Sequence, residues 1–257
     1  AVLLSFDFMR FSQSRLATID TYAVFFILLG ADLMLWYCER VREAGVTKAV
    51  LPMALAGAAF GLGCASKWTG IYAGAGLAVL YFGALAGRWR ILQAQPAPTG
   101  AQAPGESRLG LPRPARLQFR REACAAILGG VVFFVLVPLC IYWASYLPYW
   151  LRDSSFGFSD WWNCQTYMYW YHSTLEATHP FSSSWYSWLL DLRPVWYYMG
   201  SGLPAGEYAS IAGFVNPVIA LAGLAAWLQL ARRQLGGEGI REGAAVIILL
   251  LSSLLPW

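Results

Sequence analysis

Charge is what this 257-residue sequence has least of: Asp, Glu, Lys and Arg make up 12% of it, against roughly 25% in an average soluble domain. With 58% hydrophobic and 16% aromatic side chains and a mean hydropathy of +0.48, a water-soluble globular domain is excluded and a polytopic membrane protein is indicated. The net charge of +4 is small and its basic residues sit in short segments between apolar runs. That pattern orients a membrane protein and sets nucleic-acid binding aside. Of the five cysteines, Cys38, Cys64, Cys124 and Cys140 fall in or beside apolar segments and Cys164 lies in a polar loop, with no CxxC spacing, so neither a disulfide framework nor a zinc site follows. The two histidines, His172 and His179, are too few for a metal site. Gly-rich phosphate loops, internal repeats and Ser/His/Asp spacings are missing as well. No initiator Met, charged n-region or cleavage site precedes the first apolar run, and "LLSSLLPW" ends inside another. The chain is therefore expected to be an internal piece of a longer protein.

Long apolar runs are what the sequence does have. Spanning segments of about 20 residues are expected near 20–38, 49–66, 69–87, 123–147, 206–230 and 243–257, the last truncated. Residues 1–87 then form transmembrane helices, 88–121 a flexible basic cytoplasmic loop, 122–147 a further transmembrane helix, 148–205 an extracytoplasmic loop, and 206–257 the C-terminal transmembrane helices. The orientation rests on the basic residues of "ERVREAGVTK", 88–121 and "ARRQLGGEGIR", which assign those three segments to the cytoplasmic side. Alternation then gathers "SQSRLATID", "SKWTG" and 148–205 on the opposite face. The last of these contains seven of the thirteen tryptophans. Trp and Tyr favour the headgroup level, so this loop is expected to be partly helical and to rest at the interface; aromatic faces also stack on sugars, and composition does not separate the two uses.

A few polar residues stand out against this background. Arg15 and Asp20 frame the first full span, where they fit either a snorkelling Arg with a helix-start Asp or a functional pair. Asp32 lies deeper in the same span, where a costly ionisable group is expected to face the bundle interior or, close to Glu39 and Arg40, to take an interfacial role. Lys67 sits between two apolar runs on the side expected to be external, either anchoring a helical hairpin or holding an anionic lipid headgroup or leaving phosphate. Arg193 carries a forked guanidinium suited to phosphate, or to an acid such as Asp191. His172 and His179 are seven residues apart, with Pro180 interrupting a continuous helix; each fits a capping role or the orientation of a hydroxyl substrate.

Four blocks, "FDFMRFSQSRLATIDTY", "GLGCASKWTGIYAGAGLAVLYF", "YHSTLEATHPFSSSWYSWLLDLRPVWYY" and "GFVNPVIALAGL", occur in the order and spacing of the bacterial protein O-mannosyltransferase-like enzymes, a GT-C glycosyltransferase family. The sequence resembles that family over most of its length outside the linker. The resemblance implies an all-α, polytopic transmembrane helix bundle of GT-C type with an aromatic-rich extracytoplasmic loop. It implies transfer of mannose, with inversion, from polyprenyl or dolichyl phosphate mannose to Ser or Thr hydroxyls of an acceptor protein, on the extracytoplasmic side of a bacterial cell membrane. By that resemblance Arg15 matches the arginine of the family's Q-x-R segment, Asp20 the aspartate after it, Lys67 and Trp68 the K-W pair at a hairpin tip, and Arg193, Tyr197 and Tyr198 the R-P-x-W/Y-Y-Y block. Arg10 departs from the His expected there, and the β-trefoil module that eukaryotic relatives insert after "YLPYW" is missing.

The chemistry so implied needs a carboxylate to take the acceptor's proton and cations to stabilise the departing lipid phosphate. Arg15, Lys67 and Arg193 suit the second task, with Asp20, Trp68, His172, His179, Tyr197 and Tyr198 in support. The family's acidic pair is expected upstream of Ala1, so no catalytic residue is assigned within the chain. No metal ligand or resident cofactor is assigned, and the lipid-linked sugar is a substrate. A transferase acting on a glycolipid or wall polymer fits the same residues. A transporter or flippase is the alternative of another class, resting on Asp32, but no inverted repeat accompanies it.

Overall fold

A computed structural model describes residues 5–16, 18–94, 113–176, 182–188 and 190–256. Its elements in chain order are α1 (Phe8–Arg15), α2 (Asp20–Ala44), a 3-10 turn (Val46–Lys48), α3 (Val50–Ser66), α4 (Gly70–Gln93), α5 (Arg113–Val131), a π-helical segment (Val132–Leu136) and α6 (Val137–Ala144). There follow α7 (Leu147–Arg152), α8 (Phe158–Thr174), α9 (Trp185–Trp188), the strands β1 (Val195–Met199) and β2 (Ser210–Gly213), α10 (Pro217–Leu235) and α11 (Arg241–Leu254). The chain divides into two compact units: residues 22–144 with 245–256, and residues 1–21 with 145–244 and 257.

The first unit is a helical bundle with its apolar residues turned outward as well as inward. Phe25, Leu28, Val79, Phe82, Ile127 and Leu128 are exposed, as suits helices solvated by lipid. Among the described residues three helical runs, Asp20–Ala44, Gly70–Gln93 and Leu117–Arg152, are long and apolar enough to cross a membrane, and Val50–Ser66 is a shorter apolar helix. A small core of Met34, Tyr37, Val41, Met53, Leu77 and Tyr81 lies between them. Tyr37 and Tyr81 stack with ring centroids 5.5 Å apart, and the Tyr81 hydroxyl donates to Ala126 O at 2.6 Å.

Close helix packing comes from small residues on α3. A Cβ at Gly57 would lie 1.9 Å from Phe133 O, and one at Gly61 would lie 2.8 Å from Pro138 Cα, so only glycine admits this approach. Gly57 and Gly61 are four apart, on one helix face, in the small-xxx-small spacing by which membrane helices bring backbones together. The partner backbone is itself unusual. Val137 N–H bonds back to Val132 O, five residues earlier, and the next carbonyl in that register, Phe133 O, would need an N–H at Pro138, which has none. That carbonyl is the one laid against Gly57, where a Cα–H donor is available to it.

Several boundaries differ from the expectation. The loop expected over 88–121 is shorter, because α4 runs on to Gln93 and α5 begins at Arg113; residues 95–112 lie outside the described set. Arg88 is accordingly not a loop cation. It is buried and paired with Glu122, Nε to Oε2 at 3.0 Å and Nη2 to Oε1 at 2.9 Å, while Gln118 Nε2 donates to Oε1 at 3.0 Å. Charge pairing satisfies both groups at the point where they leave water. Within the span expected at 206–230, residues 210–213 pair as a strand, and the helix starts only at Pro217 behind an Asn216 cap.

Gly57→Ala places a methyl group on the Phe133 carbonyl and is expected to destabilise the bundle by about 1–3 kcal/mol, the usual cost of overpacking. Gly83→Ala, where a Cβ meets nothing within 4 Å, is expected to be neutral or slightly stabilising. Thermal unfolding of the detergent-solubilised protein compares the two.

Candidate functional site

The R-P-V-W-Y-Y block is shaped by a bulge. β1 and β2 pair antiparallel, Trp196 with Ala212 and Tyr198 with Ile211, and the register shifts between them, at Tyr197. A bulge re-aims the side chain it carries. The Tyr197 ring lies over Gly213, where a Cβ would come within 2.6 Å of it, and its hydroxyl accepts a hydrogen bond from Gln13 Nε2 at 3.1 Å. At the base of the pair Asp191, with φ of 47°, accepts the Val215 N–H at 2.9 Å; Asp tolerates this left-handed conformation better than most residues.

Helix α1 docks along these strands. Phe8 packs edge-on against Phe214 with centroids 5.3 Å apart, Ser12 Oγ reaches Ala212 O at 3.5 Å, and Asn216 Nδ2 donates to Phe6 O at 3.1 Å. Asn216 Oδ1 also caps α10 by accepting the Val218 N–H at 3.0 Å, ahead of Pro217 in the first turn. The chain thus brings residues 12–13 to residues 197 and 212. Arg15 ends α1 two residues beyond Gln13, exposed, with its guanidinium 4.3 Å from the centre of the Phe11 ring. Stacking on that ring holds a planar cation while leaving its N–H groups available. Arg193 is exposed and lies two residues before β1; Tyr198 is exposed on the strand itself.

Lys67 and Trp68 belong to the other unit, at the turn between α3 and α4. A Cβ at Gly70 would lie 2.8 Å from the Gly63 carbonyl carbon, so the two helices leave the turn with backbones in contact. Lys67 N–H bonds Gly63 O at 3.0 Å, Lys67 O accepts from Gly70 N at 2.9 Å, and the lysine is half-buried. Trp68 Nε1 donates to the Tyr142 hydroxyl at 2.8 Å, which ties the tip of the hairpin to α6.

The remaining candidates divide by local structure. Asp20 opens α2, where its carboxylate faces the positive helix end. Asp32 is exposed on α2. His172 is exposed in the last turn of α8 with its ring 5.3 Å from that of Tyr171. His179 lies outside the described residues. Asp160 is held as a cap by the Gly157 N–H at 2.8 Å. Asp153 accepts from Ser155 Oγ at 2.7 Å and Ser155 N at 2.9 Å, and these bonds hold its carboxyl below the usual carboxylate range. A carboxylate stabilised in this way is a weaker proton acceptor. Among the described residues no three of His, Cys, Asp and Glu gather as a metal-binding group. The residues that sequence reasoning left without a role are Gln13, Tyr142 and Asn216; Asp191, expected as an acid for Arg193, instead accepts the Val215 N–H. Only Asn216, an N-cap residue directly before Pro217, carried a local signal.

The family profile described as dolichyl-phosphate-mannose-protein mannosyltransferase matches residues 1–148. The polyprenol-phosphate-mannose–protein mannosyltransferase of Mycolicibacterium smegmatis is 24% identical over a 307-residue alignment that takes in 100% of this chain and 54% of that protein. The Mycobacterium tuberculosis protein of the same name is 24% identical over 235 residues, covering 76% of this chain and 41% of its own length. The chain spans about half the length of the curated relatives it matches along its whole extent. No solved structure matches.

A double-mutant cycle of Gln13→Ala and Tyr197→Phe, read by thermal unfolding, is expected to return a coupling of about 0.5–1.5 kcal/mol, the worth of one neutral hydrogen bond. Strict additivity would mean that the bond does not hold α1 to the strands.

Proposed function

The chain belongs to the dolichyl-phosphate-mannose-protein mannosyltransferase family, and on that premise we propose that it forms the cation-bearing part of an enzyme moving mannose from a polyprenyl phosphate to protein hydroxyls. The observation that carries this reading is the Gln13–Tyr197 hydrogen bond of 3.1 Å, which joins the Q-x-R segment to the R-P-V-W-Y-Y strand across 184 residues. Two segments recognised separately in the sequence are thereby parts of one surface, with Arg15 and Arg193 as its exposed cations.

In the proposed reaction an acceptor Ser or Thr oxygen attacks the anomeric carbon of the mannosyl phosphate. The bond from that carbon to the phosphate oxygen breaks, the hydroxyl proton passes to a carboxylate, and the lipid leaves as its phosphate. Charge grows on the phosphate as the bond breaks, and guanidinium or ammonium groups fixed in place stabilise it more in the transition state than before. Arg15, with its guanidinium held over Phe11, and Arg193, restrained by Pro194, fit that demand. Lys67 offers a point charge on a turn fixed by Gly63, Gly70 and the Trp68–Tyr142 bond. The proton acceptor is assigned to none of the carboxylates here; Asp153 and Asp160 are engaged by Ser155 and Gly157. The exposed aromatic helix α8 serves as a wall at the membrane surface, on the extracytoplasmic side by the charge distribution.

Replacing Lys67 or Arg193 with Ala in the full-length enzyme is expected to cut transfer from polyprenyl phosphate mannose to a Ser/Thr-rich peptide roughly ten- to a hundred-fold, the worth of one charge-assisted contact. Rates within twofold of wild type at normal expression would return both residues to structural roles.

A further inference from the structure

We propose that the bundle carries a binding site for an anionic phospholipid, at the end of α4 and α5 where Arg88 meets Glu122. A cavity of about 410 Å³ opens there, lined by Leu85, Trp89, Phe119, Ala123, Ile127 and Val135 among others. Its volume lies in the range of roughly 300–1,000 Å³ typical of small-molecule sites. The walls belong to two runs long and apolar enough to cross a membrane, Gly70–Gln93 and Leu117–Arg152. Among the described residues the charged groups lining it are Arg88 and Glu122, bonded to each other at 2.9 and 3.0 Å. Apolar cavities do not hold water, and between membrane helices the solvent that reaches such a groove is hydrocarbon. The occupant is therefore an acyl chain.

The headgroup follows from charge. The Trp89 and Phe119 rings meet at 4.1 Å, and the residue after each, Arg90 and Arg120, is exposed. The segments that converge on Arg88 and Glu122 are the last turns of α2, with Arg42 O accepting from Arg88 Nη1 at 3.4 Å, the Val46–Lys48 turn, the end of α4 and the start of described side chains on α5. Apart from the Arg88–Glu122 pair they carry exposed Arg40, Arg42, Lys48, Arg90, Arg120 and Arg121 against exposed Glu39 and Glu43. Each cation near a membrane surface contributes about 1 kcal/mol towards an anionic headgroup. The arrangement selects a negatively charged phospholipid over a zwitterionic one, and Arg15, Lys67 and Arg193, the cations proposed for the donor phosphate, do not line it.

Native mass spectrometry of the detergent-solubilised protein with added phosphatidylglycerol or phosphatidylcholine tests this. At equal concentration phosphatidylglycerol is expected to be retained at least about fivefold better, the equivalent of one cation's contribution. Arg90→Gln with Arg120→Gln, both exposed, is expected to remove the preference while residual binding persists. Ala123→Trp, which fills the groove, is expected to reduce retention of both lipids. Equal retention of the two lipids by the wild-type protein would overturn the proposal, as would a preference unmoved by the paired arginine substitutions. Displacement of phosphatidylglycerol by an equal amount of polyprenyl phosphate would assign the groove to an isoprenoid chain and overturn it equally.

Discussion

Backbone contact between α3 and the π-bulged helix is the constraint on which the bundle depends. In lipid there is no hydrophobic force to drive one apolar helix against another, so close packing must come from van der Waals contact and weak polar contacts along small residues. Gly57 and Gly61 supply the groove; Phe133 O and Pro138 fill it. The same seam continues upward, because a Cβ at Gly61 would also meet Ile141 Cδ1 at 3.0 Å, and one residue on Tyr142 receives the Trp68 indole N–H. A helix without Pro138 would retain its α-helical register, and Phe133 O would be spent within it. The defect in one helix and the glycines in the other are two halves of one contact.

From that seam the position of Lys67 follows. The α3–α4 turn is held on one side by Gly63 against Gly70 and on the other by Tyr142, so the lysine stem leaves a backbone with little freedom. A cation on a rigid turn stabilises developing charge without first having to be ordered. In the other unit the restraint is of a different kind. The bulge at Tyr197 and the absence of a side chain at Gly213 let one tyrosine reach across to Gln13, and Arg15 and Arg193 are carried on the segments so joined.

The helical framework was legible in composition and run length, since lipid solvation demands long apolar segments and little else. Lys67 was legible for the same reason in reverse: a lone cation between two apolar runs must sit at a turn. Arg88 was misplaced because its partner, Glu122, lies 34 residues away and nothing local distinguishes a buried pair from a loop charge. The β1–β2 pair was not legible because β1, VWYYM, has the apolar, aromatic composition of an interfacial helix, and β2, SIAG, lies inside a run expected to be a membrane span. Two signals stood in the sequence unread: the Gly57–Gly61 spacing, which marks a packing face, and Asn216–Pro217, which marks the start of α10 and argues against a helix from 206. The Gln13–Tyr197 bond had no local signature at all.

The proposed function puts Lys67 and Arg193 in reach of the lipid-linked donor from outside the cytoplasm. Single cysteines at positions 67 and 193, in a full-length background without other cysteines, are labelled on intact cells with a membrane-impermeant maleimide, with and without added polyprenyl phosphate mannose. The account predicts labelling from the outside at both positions and slower labelling when the donor is present. Labelling of either position only after the membrane is breached, or at a rate the donor does not change, would contradict it.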